Sequence, residues 1–364
     1  MIKIGIPQGD INGVGYELIL RALENPEILD MCTPVIYGSP KVATYHRKNI
    51  NSQTSFVVRN TPQELEDGCV NMINCFGETD LKIEIGQPTE DAGKAALIAL
   101  GKSIEDIANN NIDALVTAPL NNNTIKNNER IFPGQPQFVE QKIGNGQKAL
   151  AMMVYENLRI AFVTVNNALN QVPTHITKEL LAEKLETLAK TLKRDFNINN
   201  PRIAVLAINP NYGNDGIVYK EEEELLIPTI KEEFEKGVPC FGPYAADRIF
   251  GTSEYKKFDA ILAMYYDQGA APFRSITYND GVLYTAGLPV VLAAPINGTD
   301  YELAGKDMAD ESSMRHAIYT VIDVVRNRRR YDESYAHPLK RQYYEKRDDS
   351  DKLKLDQPTE EDNA

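Results

Sequence analysis

Short apolar runs that end in glycine, asparagine or proline alternate with longer segments of helical period, and that alternation admits few folds. Ile2–Ile6 reads as a strand that enters the loop GDINGVG and then the apolar helix pattern YELILRAL. Gly9, Gly13 and Gly15 suit a tight turn that needs glycine dihedrals. The spacing is not GxGxxG, so a phosphate cradle is the weaker reading. Pro34–Tyr37 reads as a strand followed by a helix near Lys41–Arg47. Ala92–Asn109 reads as a helix with Ala95, Ala96, Ile98, Ala99, Ile104 and Ile107 on one side, feeding a strand at Ala114–Thr117. Strands follow at Arg159–Val165, Arg202–Ile208, Phe258–Met264 and Val290–Ala294. Helices follow at Thr177–Leu192, Glu221–Glu235 and Ser312–Asn327. The pattern predicts an α/β fold with a central sheet.

With 364 residues, 42% of them apolar, the chain can bury a sizeable core, and length alone suggests about two domains. A formal charge of −13 argues against a nucleic-acid partner. The longest apolar stretches, such as 286–296, are too short and too rich in proline and glycine to span a bilayer. The start MIKIGIPQGD lacks the apolar run of a secretory leader. Cys32, Cys69, Cys75 and Cys240 show no CxxC spacing, which suits scattered buried thiols in a reducing cytoplasm. Residues 338–364 carry mixed charge with few apolar side chains and predict a disordered tail. The basic run RNRRRY at 326–331 reads as the charge bias of a helix C-terminus.

Ligands of α/β sheets bind beyond the carboxyl ends of strands. Four such ends carry polar loops: TAPLNN after 117, TVNN after 164, INPNYGNDG after 208 and MYYDQG after 264. In LAAPINGTDYELAGKD, 292–307, Gly298 makes a turn, and Thr299 and Asp300 are cap candidates for a helix whose N-terminus would meet a nucleotide. Plain capping explains the same residues. The chain has only four histidines, His46, His175, His316 and His337, and none falls in these loops. No Ser/His/Asp or Cys/His arrangement is visible. A carboxylate site of Asp10, Asp215 and Asp267 is conceivable, but nothing in the sequence brings them together.

At these motifs the chain resembles the PdxA family, the 4-hydroxythreonine-4-phosphate dehydrogenases of vitamin B6 synthesis. The matching pieces include GDINGVGYE at 9–17, DAGKAAL at 91–97, VTAP at 116–119, VPTHITKEL at 172–180, CFGPYAAD at 240–247, DAILAMYYDQG at 259–269 and NGTDYELAG at 297–305. The resemblance runs from Gly5 to about Arg330. It implies an α/β/α architecture like that of isopropylmalate dehydrogenase, with a mixed central sheet. Residues 1–330 would form one unit of two intertwined subdomains, with the site in their cleft. It also implies a homodimer with the site between subunits, and NAD-dependent, metal-assisted oxidation of a phosphorylated hydroxy acid followed by decarboxylation.

The departures fall on the chemistry. Where the family pattern has three metal-binding histidines, this chain has Asn166, Asn211 and Tyr266. Imidazole suits zinc, nickel or cobalt. Asparagine offers a neutral carbonyl oxygen, and a tyrosine phenol ordinarily titrates near 10. At substrate positions, Gln135 and Pro136 stand for histidine and threonine, Arg274 for lysine, and Leu283 and Leu292 for asparagine and arginine. An arginine clamp supplies charge-assisted hydrogen bonds, and leucine supplies none. NAD would meet Asn297, itself in place of a histidine, with Gly298 and Asp300. The resemblance thus implies a member without its divalent metal, with the family activity lost or strongly reduced. The alternative is an active dehydrogenase on the same or an altered phosphorylated hydroxy acid. Partnership with a competent relative in a mixed dimer is a further expectation.

Overall fold

In the computed structural model, which describes residues 1–127, 130–216 and 218–336, fourteen strands are found among the described residues. The tail at 338–364 lies outside them. In chain order the strands are β1 (Ile2–Pro7), β2 (Cys32–Gly38), β3 (Phe56–Arg59), β4 (Val70–Asn74), β5 (Ala114–Val116), β6 (Lys126–Asn127) and β7 (Arg130–Ile131). They continue as β8 (Leu150–Tyr155), β9 (Leu158–Thr164), β10 (Ile203–Leu206), β11 (Cys240–Tyr244), β12 (Ala260–Tyr265), β13 (Val282–Ala286) and β14 (Val291–Pro295). Strands β6 and β7 pair with each other, and the other twelve form one sheet in the order β11-β10-β12-β9-β8-β13-β14-β5-β1-β2-β4-β3.

The sheet is mixed, as expected. The four strands from β11 to β9 are parallel, and so are the six from β14 to β3. Between them, β9–β8, β8–β13 and β13–β14 are each antiparallel. Three reversals make the two parallel blocks run in opposite directions. The chain builds β1–β5 in one block, then β8–β13, and returns to the first block only with β14.

Helices cover both faces, giving the α/β/α layering. On one face a continuous apolar cluster lies under helices Gly15–Ala22, Lys178–Arg194 and Ser312–Ala336. On the other face the core is split. Helices Glu90–Ala108 and Gln135–Ile143 cover the cluster around Leu115 and Leu292, while helix Tyr266–Thr277 covers the one around Phe162 and Phe273. Thr89 caps helix Glu90–Ala108, its Oγ1 accepting from the Ala92 N–H at 3.2 Å, with Glu90 and Asp91 in the favoured first turn. Ala95, Ala96, Ala99, Ile104 and Ile107 of that helix are buried, but Ile98 points to solvent.

Several expectations are corrected. No helix begins at Thr299 and Asp300; residues 301–307 form turns, and the next helix starts at Ser312. The segment after β12 is not a loop, because a helix starts directly at Tyr266. Gly269 and Pro272 inside it argue against a helix locally, yet Gly269 is required by packing: a Cβ there would sit 2.6 Å from Ile160 Cγ2. The last helix runs to Ala336, so the run 326–331 is not at its end. Arg328 is instead buried, its Nε donating to Asp195 Oδ1 at 2.7 Å. Cys32 and Cys240 are buried free thiols, whereas Cys69 and Cys75 are only partly covered. No helix among the described residues is long and apolar enough to cross a membrane.

Candidate functional site

The glycine loop after β1 is filled. Gln8, Asp10 and Asn12 are buried. The segment after β14 folds down onto them: Val14 N–H donates to the Thr299 carbonyl at 3.0 Å, and Tyr301 Oη donates to Asp10 Oδ2 at 2.7 Å. A Cβ on Gly9 would lie 2.3 Å from the Pro119 carbonyl oxygen, and one on Gly13 would lie 2.5 Å from that of Thr299. Both glycines are there for close backbone approach, the tight-turn role expected of them. Burial raises the Asp10 carboxyl above its usual range, partly offset by the Tyr301 hydrogen bond. Burial, then Asp10, pushes the Tyr301 phenol up to about 12.

The open site lies elsewhere, where the core of the second face is split. A cavity of about 510 Å³ spreads over the antiparallel middle of the sheet. Leu283 and Thr285 from β13 and Leu292 from β14 line it, with Met152 from β8 and Phe162 from β9. Thr117 and Asn122 reach it from the segment after β5, and Asn166 from the end of β9. Tyr266, the first residue of its helix, lines it with its ring against Phe162 at 5.1 Å between centroids. Gln135 and Pro136 form the first turn of helix Gln135–Ile143, and the Gln135 Nε2 donates to the Ala118 carbonyl at 3.1 Å. Pro136 is tolerated there because first-turn N–H groups have no intrahelical acceptor.

Six of the positions expected from sequence therefore converge: Gln135, Pro136, Asn166, Tyr266, Leu283 and Leu292. The others do not line this cavity. Asn211 is exposed, with left-handed backbone (φ 56°). Arg274 donates to the Ile296 carbonyl at 3.0 Å. Asn297 Nδ2 donates to the Asp310 carbonyl at 3.3 Å, while its Oδ1 is buried without a partner, and Gly298 beside it is exposed. Asp300 has positive φ, and burial, then Glu302, holds its carboxyl above the usual range. Asp10 and Asp267 are not brought together, since Asp10 is tied to Tyr301 and Asp267 is exposed. The Asp215 side chain lies outside the described part. Thr117, Asn122 and Thr285 were not named individually from sequence; Thr117 and Asn122 lie in the polar loop TAPLNN expected to meet a ligand, and Thr285 carried no signal.

The retained DQG motif has a structural reason. Gln268 Oε1 accepts from the Met264 N–H at 2.8 Å, and its Nε2 donates to the Ala207 carbonyl at 2.6 Å, tying β12 to β10.

The donor set does not fit a divalent transition metal. Asn166 offers an amide and Tyr266 a phenol, and no group of three or more His, Cys, Asp or Glu side chains could hold an ion among the described residues. Three histidines are engaged elsewhere: His46 with the Ile11 carbonyl, His175 with that of Gln171 and His316 with that of Asp280. His337 lies outside the described residues. For a dinucleotide, Asn297 presents a buried, unpartnered acceptor, which fits a hydrogen-bond donor of such a ligand.

Residues 30–321 match the family model described as pyridoxal phosphate biosynthetic protein PdxA. A 4-hydroxythreonine-4-phosphate dehydrogenase of Bacteroides thetaiotaomicron is 51% identical over 355 residues, covering 98% of this chain and 97% of that one. One from Aquifex aeolicus is 32% identical over 324 residues, covering 89% and 98%. The crystal structure of a 4-hydroxythreonine-4-phosphate dehydrogenase from Burkholderia phymatum superposes with a TM-score of 0.74 at 29% identity, covering 89% of this chain and 98% of that one. With its mixed sheet, its cleft and these matches across most of its length, this chain belongs to the PdxA family.

Proposed function

We propose that this chain keeps the family cleft as a ligand-binding site and has lost, or nearly lost, the family's metal-assisted oxidation. The observation that carries the reading is the cleft's donor set, in which Asn166 and Tyr266 stand where a metal would need imidazole and Asn211 does not reach the cavity. Metal ions contribute several kcal/mol of charge stabilisation to such chemistry. At ~1.4 kcal/mol per tenfold, the expected loss is roughly a thousandfold or more. Asn297, Gly298 and Asp300 would hold NAD, which supplies the hydride acceptor when bound. We place the protein in the cytoplasm as a homodimer, or as a heterodimer with a competent relative.

The test uses the purified full chain, free of relatives. Supplied with NAD, 4-hydroxythreonine 4-phosphate and zinc or magnesium, it is expected to form NADH at the no-enzyme rate. Dialysed against zinc, it is expected to retain well under one equivalent. Steady turnover or one tightly held ion overturns the proposal.

The second reading is a working dehydrogenase of the family on the same or an altered phosphorylated hydroxy acid. It is favoured by the 51% identity to the Bacteroides thetaiotaomicron protein named for that activity. Turnover in the same assay would establish it.

A further inference from the structure

We propose that a second cavity, on the opposite face of the sheet from the cleft, binds an α-amino acid with an apolar side chain. It measures about 320 Å³ and lies between helix Ser312–Ala336 and the turn that joins β8 to β9. That volume is at the small end of the range for ligand sites. Val154, Val282 and Val324 give it an apolar floor, and all three belong to the continuous cluster of the first face. The cleft, where a second subunit is expected, opens on the other face.

Arg159, in the cavity wall, differs from three other arginines of the chain. Arg21, Arg194 and Arg328 each hold a carboxylate in the fork of Nε and Nη2, taking Asp307, Asp332 and Asp195. That edge matches the two oxygens of a carboxylate. Arg159 spends only Nη1, on the Asn157 and Asp259 carbonyls at 3.3 and 3.2 Å. Its Nε is buried without a partner, and Nη2 has none among the described residues. The Asp259 carboxylate, whose charge acts on Arg159, instead accepts the Arg202 N–H at 2.7 Å. The Phe196 ring, with its centroid 4.8 Å from the guanidinium carbon, holds the group in place. A half-buried cation with an unpartnered fork is a site for a carboxylate.

A ligand with that charge alone would also meet repulsion. Glu156 and Asp323 line the cavity, both exposed, and neither has an ion-pair partner among the described residues. Asp195 nearby is already paired with Arg328. An ammonium beside the carboxylate answers both signs, and the valine floor receives an apolar side chain.

The experiment is ligand-observed NMR on the full chain with L-valine, L-leucine and L-phenylalanine, each beside its N-acetyl and carboxamide forms. The free amino acid that binds best is expected to lose about tenfold in affinity on acetylation, and about tenfold on amidation. Arg159→Lys keeps the charge but not the fork, and a loss of about tenfold is expected. Glu156→Gln combined with Asp323→Asn is expected to erase the difference between the free and acetylated forms. Both of those positions are exposed, so this variant carries the test should Arg159→Lys fail to melt natively. Binding of none of the three amino acids overturns the proposal. So does equal binding of the acetylated or amidated forms, or binding unchanged in a natively folded Arg159→Lys, which would place the ligand elsewhere. A change of oligomeric mass in Arg159→Lys, with no amino acid bound by the native chain, would mean that a second copy fills the fork and also overturns it. No NAD, phosphorylated substrate or metal enters the measurement, so its outcome is separate from that of the turnover assay.

Discussion

Strand β13 separates two regions of opposite character. Leu283 and Thr285 face the cleft, whose lining carries no charged side chain among the described residues. Tyr284, between them, points to the other face, where its hydroxyl donates to Asp195 Oδ2 at 2.6 Å. There Asp195 also receives Nε and Nη2 of Arg328, whose Nη1 donates to the Leu288 and Pro289 carbonyls. Burial and the neighbouring carboxylate raise the Tyr284 phenol well above its usual value. A single residue step along one strand thus passes from a neutral, open surface to a sealed ionic cluster. The charge in this part of the molecule joins helix Ser312–Ala336 to the sheet.

The largest effect that would test the contrast is at the sealed side. Asp195→Ala leaves Arg328 buried without its carboxylate, and a loss of about 3–5 kcal/mol is expected by denaturant unfolding. A change of under ~1 kcal/mol would show that the cluster is not the fastening described here.

Next is pH. Among the described residues the cleft lining has no carboxylate, imidazole or amine, whereas a buried imidazole lies beneath the glycine loop. His46, stacked on Tyr16 beneath the glycine loop, is buried with Nδ1 unpartnered, and burial pushes its imidazole down to about 4 from 6.5. The neutral ring is the native form. Its contribution is therefore complete above pH 6.5 and is lost as the pH falls from 6.5 to 4, because the unfolded chain takes up the proton first. About 3 kcal/mol is expected to disappear across that window. His46→Phe is expected to flatten this part of the profile, and an unchanged slope would remove His46 from the account.

The smallest effect is in the cleft. Tyr266→Phe removes a hydroxyl with no protein partner among the described residues, so stability is expected to change by less than ~0.5 kcal/mol. A larger loss would mean that this oxygen is tied into the fold.

Much of the frame was legible locally. The runs behind β1, β2, β5, β9, β10, β12 and β14 are continuous and apolar, as strands buried on both faces should be. Strands β3, β4, β8, β11 and β13 were not read from the sequence, although β8 and β13 are longer than β5 and β10, which were. Helix Tyr266–Thr277 was hidden by Gly269 and Pro272, whose local cost is outweighed by packing on β9. Thr299 and Asp300 look like helix caps, but the segment is claimed by hydrogen bonds to Val14 and Asp10, nearly the whole chain away. No local pattern can announce such a contact. Among the site positions, the family motifs located Gln135, Pro136, Asn166, Tyr266, Leu283 and Leu292 in one cavity. Arg274 keeps the expected charge, and its guanidinium donates to the Ile296 carbonyl.

The late return of β14 bears on how the chain matures. This strand lies between β13 and β5, in the middle of the sheet, yet among the described residues it is the last strand to be synthesised. Until residues 291–295 leave the ribosome, β5 and β13 both present unpaired edges. The nascent protein therefore carries two open sheet edges until β14 emerges, and its demand for chaperones should fall once they are paired.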